Sequence, residues 1–418
     1  MDHKITALVI FIAAYLLFIV LPARRMWAAL GGAALLLLTG TLLPDQTFSA
    51  VNWNVMGIFV GMQLLAVSFI ESRVPAYFAE VIVNRAKNTG WAILFICILT
   101  GFISAFADNV TTVLIMAPIA LALSRKLKIN PTGMIIGIAV SSNLQGTATL
   151  IGDPPSMLLA AFARMNFLDF FFYLGRPSIF FAVEIGAIVS FFVLYLIYKQ
   201  YRGKVKVLPV EKVTSWVPAS LLVLLVCLLA FSSVLKIPAG ILCLAFGFFA
   251  VAWEKNRFKR SIRGQFLALD WDSIFFLAGI FILVGGLTAT GWVALLANQL
   301  AQLVGSNLFL GYTTIVFFSV LVSAFVDNIP FLAAMLPVAI TVSASLNVQP
   351  QLLLFGLLIG TSLGGNITPF GASANIVSCG LLKKEGYPVK FGEFVKIGLP
   401  FTLAAVSAAY LFIWLIWH

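Results

Sequence analysis

Runs of about twenty apolar residues recur along the whole sequence, and they restrict the fold more than any other feature. They include 5–21, 27–43, 178–198, 217–231 and 393–417. A helix of about 20 residues spans the 30 Å hydrocarbon core of a bilayer. The chain is 61% hydrophobic and only 10% charged, whereas a soluble domain is about 25% charged. The sequence therefore predicts an integral membrane protein with the lipid bilayer as its partner, and it excludes a soluble enzyme.

The net charge of +11 does not indicate a nucleic-acid partner, because the basic residues form short clusters between the apolar runs. Basic loops between membrane spans face the cytoplasm. One cluster of five lysines and arginines lies in residues 199–215, and a second lies in residues 255–263. Two spans separate them and return the chain to its starting side. Both clusters are therefore predicted to face the cytoplasm. The protein is predicted to lie in the inner (plasma) membrane of a bacterium.

The sequence contains an internal repeat. When residue 104 is placed on residue 323, the segment 104–156 aligns with 323–375 without a gap, and 16 of the 53 aligned positions are identical. The basic residues that follow Ser124 have uncharged counterparts after Ser343. The same loop is thus predicted on opposite sides of the membrane in the two copies. The predicted fold class is an all-α polytopic membrane protein with two inverted-topology repeats.

Each repeat is predicted to have about five transmembrane helices, a re-entrant helical hairpin and a broken helix. An Asp-Asn pair lies between two short apolar arms and predicts the hairpin tip, and Gly and Thr interrupt the next span. The first repeat is predicted at 1–198, with its hairpin at 91–124 and its broken helix at 131–162. A cytoplasmic basic linker, 199–215, leads to the second repeat at 216–418, with its hairpin at 307–343 and its broken helix at 351–380.

Hairpin tips and helix breaks at membrane depth must line a cavity or bind a ligand, because lipid cannot satisfy their backbone groups. Broken spans at equivalent positions of inverted halves indicate the central binding site of a transporter. Asp108 and Asp327 are the strongest single candidates, since an ionisable group within a span usually faces a cavity or a partner. Each could bind a coupling ion or cap the helix that follows it, and the two roles are compatible.

The candidate substrate- and ion-binding residues all lie at the hairpin tips and helix breaks. In the first repeat they are Asp108, Asn109, Thr111, Thr112, Asn143, Gln145, Thr147, Thr149, Gly152 and Asp153. In the second repeat they are Asp327, Asn328, Ser362, Asn366, Thr368, Gly371, Ser373 and Asn375. Two Na⁺ sites are candidates, one at Asp108, Asn109 and Thr149 and one at Asp327, Asn328 and Thr368. The alternative for the small residues is tight helix packing.

Four linked motifs closely resemble the ion transporter superfamily. They are DNVTT at 108–112, GTATLIGDPP at 146–155, DNIPF at 327–331 and LGGNITPFGASAN at 363–375. The nearest branch is that of arsenite permeases, NhaD-type sodium/proton antiporters and the melanosomal P protein, and sodium/dicarboxylate carriers are more distant. The resemblance implies two scaffold-plus-transport halves, a homodimer and an elevator motion. Gln145 and Ser156 depart from the P protein pattern, which usually has Gly and Asn there.

The predicted function is secondary active transport, coupled to H⁺ or Na⁺, of a small inorganic anion, an oxyacid such as arsenite, or a carboxylate. No other cofactor and no enzymatic activity are predicted. Because no Arg or Lys occupies the four breaks, an anion is expected to bind helix N-termini and Asn and Thr donors. Two alternatives stay open: a Na⁺/H⁺ antiporter without an anionic substrate, and a passive anion channel.

Overall fold

The protein is almost entirely helical, as its apolar sequence predicts. The computed structural model describes residues 3–21, 24–127, 129–203, 210–304 and 307–418. Within these ranges, seven helices are long and apolar enough to cross a membrane. The sheet found there has two short antiparallel strands, β1 (Phe172–Tyr173) and β2 (Arg176–Pro177), with Phe172 opposite Pro177. These observations confirm the prediction of an all-α polytopic membrane protein.

Ten α-helices are described in the first half of the chain. They are α1 (His3–Val20), α2 (Arg25–Leu38), α3 (Pro44–Ala50), α4 (Trp53–Glu71), α5 (Val74–Asn84), α6 (Thr89–Ser104), α7 (Asn109–Leu127), α8 (Thr132–Gly146), α9 (Pro154–Ala163) and α10 (Ile179–Tyr198). A 3₁₀ turn, Leu168–Phe170, precedes the strands. Part of the predicted linker, residues 204–209, lies outside the described residues.

Eleven α-helices are described in the second half. They are α11 (Val217–Ala230), α12 (Ser232–Leu235), α13 (Ala239–Phe258), α14 (Ile262–Leu267), α15 (Trp271–Ala289), α16 (Trp292–Val304), α17 (Leu308–Ser323), α18 (Asn328–Ser345), α19 (Gln351–Gly364), α20 (Ser373–Lys384) and α21 (Phe391–Trp417). A 3₁₀ turn, Gly365–Ile367, follows α19.

The helix bounds repeat with the same spacing as the sequence. Helices α6 and α17 begin and end at a constant offset in residue number, since 308 − 89 and 323 − 104 are both 219. The starts of α18, α19 and α20 follow those of α7, α8 and α9 by the same interval, because 328 − 109, 351 − 132 and 373 − 154 are each 219. The two halves therefore contain the same succession of a helical hairpin and a broken helix.

The two halves also pack against each other in matched pairs. Helix α2 packs on α15 and its counterpart α13 packs on α4, while α9 contacts α18 and α20 contacts α7. Glycines allow the closest crossings. A Cβ on Gly61 would come within 2.2 Å of the Cys243 carbonyl carbon, and one on Gly279 within 2.7 Å of the Ala29 Cβ. At these crossings, helices of the two repeats are in direct backbone contact.

Candidate functional site

Each hairpin tip ends in an aspartate that caps the following helix. Asp108 Oδ2 accepts a hydrogen bond from the Thr111 backbone N–H at 3.1 Å, at the start of α7. Asp327 Oδ1 accepts one from the Ile329 N–H at 3.1 Å, at the start of α18. The carboxylates satisfy N–H groups that the helix itself leaves free. This contact fixes both side chains at equivalent places in the two repeats.

A threonine ties each helix break to the neighbouring hairpin. The Thr149 hydroxyl donates to the Ala105 carbonyl, and the Thr368 hydroxyl donates to the Ala324 carbonyl. These are one contact made twice, because 149 + 219 is 368 and 105 + 219 is 324. Both threonines are buried. Each hydroxyl donates its proton to a backbone carbonyl of the hairpin, so one role of each threonine is to hold the helix break against that hairpin.

The repeated glycines of the breaks lie where two backbone segments cross. A Cβ on Gly152 would come within 2.3 Å of the Gly146 carbonyl oxygen. A Cβ on Gly371 would come within 2.5 Å of the Gly365 carbonyl oxygen. No side chain fits at either crossing. The structure therefore gives both candidate glycines a packing role, in line with the alternative that the sequence left open.

Three asparagines connect the broken helices of the two repeats. The Asn143 Nδ2 donates to the side-chain oxygens of Asn366 and Asn375, both at 2.9 Å. Asn366 in turn donates to the Val140 carbonyl at 3.2 Å, and Asn375 to the Thr368 carbonyl at 2.9 Å. Among the described atoms, the Asn143 Oδ1 has no hydrogen-bond partner although the residue is only 2% exposed.

The tips and breaks of both repeats surround one narrow cavity of about 30 Å³. Five of the predicted residues line it, namely Asp108, Asn109, Asn143, Asn328 and Ser373. Since three of them come from the two hairpin tips and the other two from the two broken helices, the cavity is shared by both halves. The structure thus brings the two repeated motifs together.

Arg25 enters this cavity from the first residue of α2. Its Nη1 donates to Asp327 Oδ2 at 2.5 Å and to the Ser373 hydroxyl at 2.9 Å, and its Nη2 donates to the Ser273 hydroxyl at 3.0 Å. The guanidinium carbon lies 4.9 Å from the centre of the Phe276 ring. The side chains of Arg25 and Asp327 are only 17% and 19% exposed. A positive charge is therefore held among α2, α15, α18 and α20.

Asp270 adds a third carboxylate to the site. It precedes α15, accepts from the Ser273 hydroxyl at 2.5 Å, and lines the cavity with Asp108. Within the described part of the chain, neither Asp108 nor Asp270 takes part in an ion pair, whereas Asp327 is paired with Arg25. With all four groups ionised, one positive and three negative charges give a net charge of −2 (1 − 3).

Other predicted residues do not line the cavity and have contacts or burial of their own. Asp153 caps α9 by accepting from the Ser156 N–H at 3.0 Å, and the Thr147 hydroxyl donates to it at 3.4 Å. The Gln145 side chain is buried. Thr112 and Ser362 are buried, and among described atoms the Ser362 hydroxyl lacks a partner.

The two candidate Na⁺ sites differ in this geometry. No group of three or more His, Cys, Asp or Glu side chains that could hold a metal ion occurs in the described ranges. At the second candidate site, the Arg25 guanidinium already contacts the Asp327 carboxylate. At the first, Asp108 contacts the Thr111 N–H and faces the cavity. The first site is the one at which a carboxylate is available to a small cation.

Sequence reasoning missed Arg25, Asp270 and Ser273. Arg25 is part of a short basic pair, which is typical of a cytoplasmic turn, and the offset that relates the two repeats leads from it to Leu244. No Arg or Lys lies in the four breaks, as the sequence shows, but Arg25 reaches the cavity from α2, outside them. The one sequence feature that could have indicated a role for Arg25 is that it has no basic counterpart in the second repeat.

Comparison with known proteins agrees with this architecture. The profile of the citrate transporter family matches residues 15–360. The chain belongs to the citrate transporter family. An uncharacterized transporter of Mycobacterium tuberculosis is 30% identical and covers 99% of this chain and 98% of the relative. The human P protein is 25% identical over 94% of this chain and 57% of its own length. The resemblance to the ion transporter superfamily is thereby confirmed.

Two solved structures share the fold. The YdaH transporter of Alcanivorax borkumensis superposes with a TM-score of 0.60 at 14% identity, covering 99% of this chain and 98% of its own. MtrF of Neisseria gonorrhoeae, described as one of a class of antimetabolite efflux pumps, gives 0.59 at 14% identity over 91% and 83%. As a member of this family with bacterial transporters among its relatives, this protein is a transporter of the plasma membrane and not an enzyme.

Proposed function

We propose that this transporter is a secondary active carrier that moves a small carboxylate or oxyanion together with H⁺ or Na⁺. The observation that carries the proposal is the composition of the shared cavity. Its wall holds one guanidinium, two carboxylates and a set of uncharged amide and hydroxyl groups, and Asp327 lies beside it as the partner of Arg25. Arg25 and the asparagines supply donors for an anion. The carboxylates supply acceptors for cations.

The charge balance supports coupling to a cation. Asp108 is partly buried and has no counter-charge among the described residues, so it is more stable when it binds a proton or a cation. An anion that enters a cavity already carrying a charge of about −2 would raise that cost. We therefore assign the coupling cation to Asp108, with Asp270 beside it, because Asp327 is neutralised by Arg25.

The repeated architecture supports an elevator movement. The cavity is too narrow in this conformation for a molecule the size of citrate, so the elements around it must move for a substrate to enter or leave. We assign the moving part to the two hairpins and broken helices, which the threonine and asparagine contacts join to each other. The homodimer implied by the family resemblance would provide a fixed scaffold for that motion.

A second candidate function is cation/proton antiport without an anionic substrate. The excess of carboxylates over basic groups in the cavity favours it. A passive anion channel has less support, since the two carboxylates of the cavity wall, with Asp327 beside them, oppose the passage of anions. Flux measurements with and without an anion distinguish the two active mechanisms.

The experiment uses the full chain reconstituted in proteoliposomes. Uptake of labelled citrate is measured under an imposed pH gradient, an imposed Na⁺ gradient, or neither. We expect one of the two gradients to drive accumulation, and Asp108→Asn to abolish that dependence. Asp272→Asn is the matched control, because it removes the same charge from an exposed position in the first turn of α15. Cation exchange without any anion movement would instead establish the antiporter.

A further inference from the structure

Arg25 makes a set of contacts that resembles a carboxylate-binding site with a carboxylate already in it. One guanidinium nitrogen binds Asp327 Oδ2 at 2.5 Å, and the Ser373 hydroxyl lies 2.9 Å from that nitrogen and 3.4 Å from the same carboxylate oxygen. Guanidinium and hydroxyl groups are donors that suit a carboxylate. The carboxylate present belongs to the protein itself, at the tip of the second hairpin.

The surroundings hold Arg25 in place whether or not Asp327 is bound. Its second nitrogen donates to the Ser273 hydroxyl at 3.0 Å, and its guanidinium lies over the Phe276 ring. Both residues belong to α15, which packs on α2. Ser273 is itself fixed by Asp270, to which its hydroxyl donates at 2.5 Å. The donor group is thus positioned by elements other than the hairpin that supplies the carboxylate.

The cavity also contains polar groups that a bound anion could use beside Arg25. Helix α20 has no side-chain cap, and its first residues, Ser373 and Ala374, line the cavity. Asn143, which lines the same wall, has a buried side-chain oxygen without a partner among the described atoms. That oxygen is an acceptor, which suits a hydroxyl or protonated carboxyl group of the same ligand.

We propose that Arg25 is the anchor for a carboxylate group of the transported substrate, and that Asp327 occupies this position until the substrate replaces it. The inference rests on the proposed function in that it names the substrate class of the same cavity. It also gives binding a mechanical consequence. The Arg25–Asp327 pair joins α2 and α15 to the tip of α18, so the exchange of one carboxylate for another releases the hairpin tip from those helices.

The test measures anion binding by calorimetry on the purified full chain in detergent, with formate and citrate as probes. Asp327→Asn removes the internal competitor and is expected to tighten binding at least about tenfold, which corresponds to about 1.4 kcal/mol. Arg25→Gln is expected to abolish binding, and Arg25→Lys to leave binding weaker than in the wild type because an ammonium lacks the planar fork of donors. Arg24→Gln and Asp272→Asn, both at exposed positions, are expected to behave as the wild type.

Three results would overturn the inference: unchanged affinity in Asp327→Asn, wild-type affinity in Arg25→Gln, or binding of neither anion by Asp327→Asn. If Asp327→Asn does not elute as a folded protein, Asp327→Ser serves as the second variant, with the same expectations. The outcome is separate from that of the transport assay. Proteoliposomes without gradient-driven uptake would contradict the proposed function, whereas tighter carboxylate binding by Asp327→Asn would still support the anchor.

Discussion

Gly146→Ala is predicted to disrupt the first helix break, because the methyl group would collide with a cavity residue. Gly146 is the last residue of α8, and a Cβ there would lie 2.0 Å from Asn109 Oδ1. Ordinary van der Waals contact begins at 3.4 Å, so the two atoms would have to separate by more than a full ångström. The same Asn109 oxygen accepts a hydrogen bond from Ser104 at 2.7 Å, which restricts its movement.

The expected cost combines three terms. Overpacking of a dense interior costs about 1–3 kcal/mol, and loss of the Ser104–Asn109 hydrogen bond costs about 1 kcal/mol. The better helix propensity of alanine offsets at most about 1 kcal/mol of this loss. Gly146→Ala should therefore lower the free energy of unfolding by about 1–3 kcal/mol, and it should reduce transport because Asn109 lines the cavity.

Gly133→Ala is the matched control in the same helix. A Cβ at Gly133 would lie 3.6 Å from its nearest neighbour, the Tyr198 ring, which is an ordinary contact. This variant should be as stable as the wild type or up to about 1 kcal/mol more stable. Equilibrium unfolding with SDS in mixed micelles measures both values. Equal stability of Gly146→Ala and Gly133→Ala would contradict the predicted collision with Asn109.

Three further predictions use the same unfolding assay. Asn143→Leu removes two hydrogen bonds of 2.9 Å and leaves their buried acceptors unpaired, so we expect the free energy of unfolding to fall by about 2–5 kcal/mol. A fall of less than about 1 kcal/mol would contradict the hydrogen bonds between the asparagines. Thr149→Val and Thr368→Val each remove one donated hydrogen bond and should cost similar amounts, about 1 kcal/mol; a large effect in only one would argue against equivalent roles. Gly61→Ala, which meets the α13 backbone, should be destabilising, unlike Gly31→Ala, whose Cβ meets nothing within 4 Å; equal stability would contradict the close crossing.

The repeat made much of the fold predictable from the sequence. Residues that recur at the constant offset, such as the two Asp-Asn pairs, lie at corresponding helix starts, because one local sequence pattern produces one local structure. The glycines at 152 and 371 recur for a related reason, since their backbone crossings exclude a side chain. What the repeat could not separate was a ligand-binding role from a packing role at such positions.

The asymmetric part of the site was not predictable in this way. Arg25 and Asp327 are 302 positions apart in the chain, and only tertiary packing brings them together. The positive-inside pattern assigns a basic pair before a span to the cytoplasm, and this rule competes with any functional interpretation of Arg25. Comparison of the two repeats also treats Asp108 and Asp327 as equivalent, whereas a single unrepeated arginine makes their electrostatic surroundings different.

The cavity between the two hairpins is the proposed route of the substrate. Reaction of a thiol reagent with Ala374→Cys, on the cavity wall, tests it in membranes after Cys227 and Cys379, the less buried native thiols, are replaced by serine. Gly380→Cys, on the same helix with open space around it, is the control. We expect the anion taken up by proteoliposomes to slow the reaction at position 374 and to leave that at position 380 unchanged. Equal rates at position 374 with and without that anion would contradict it.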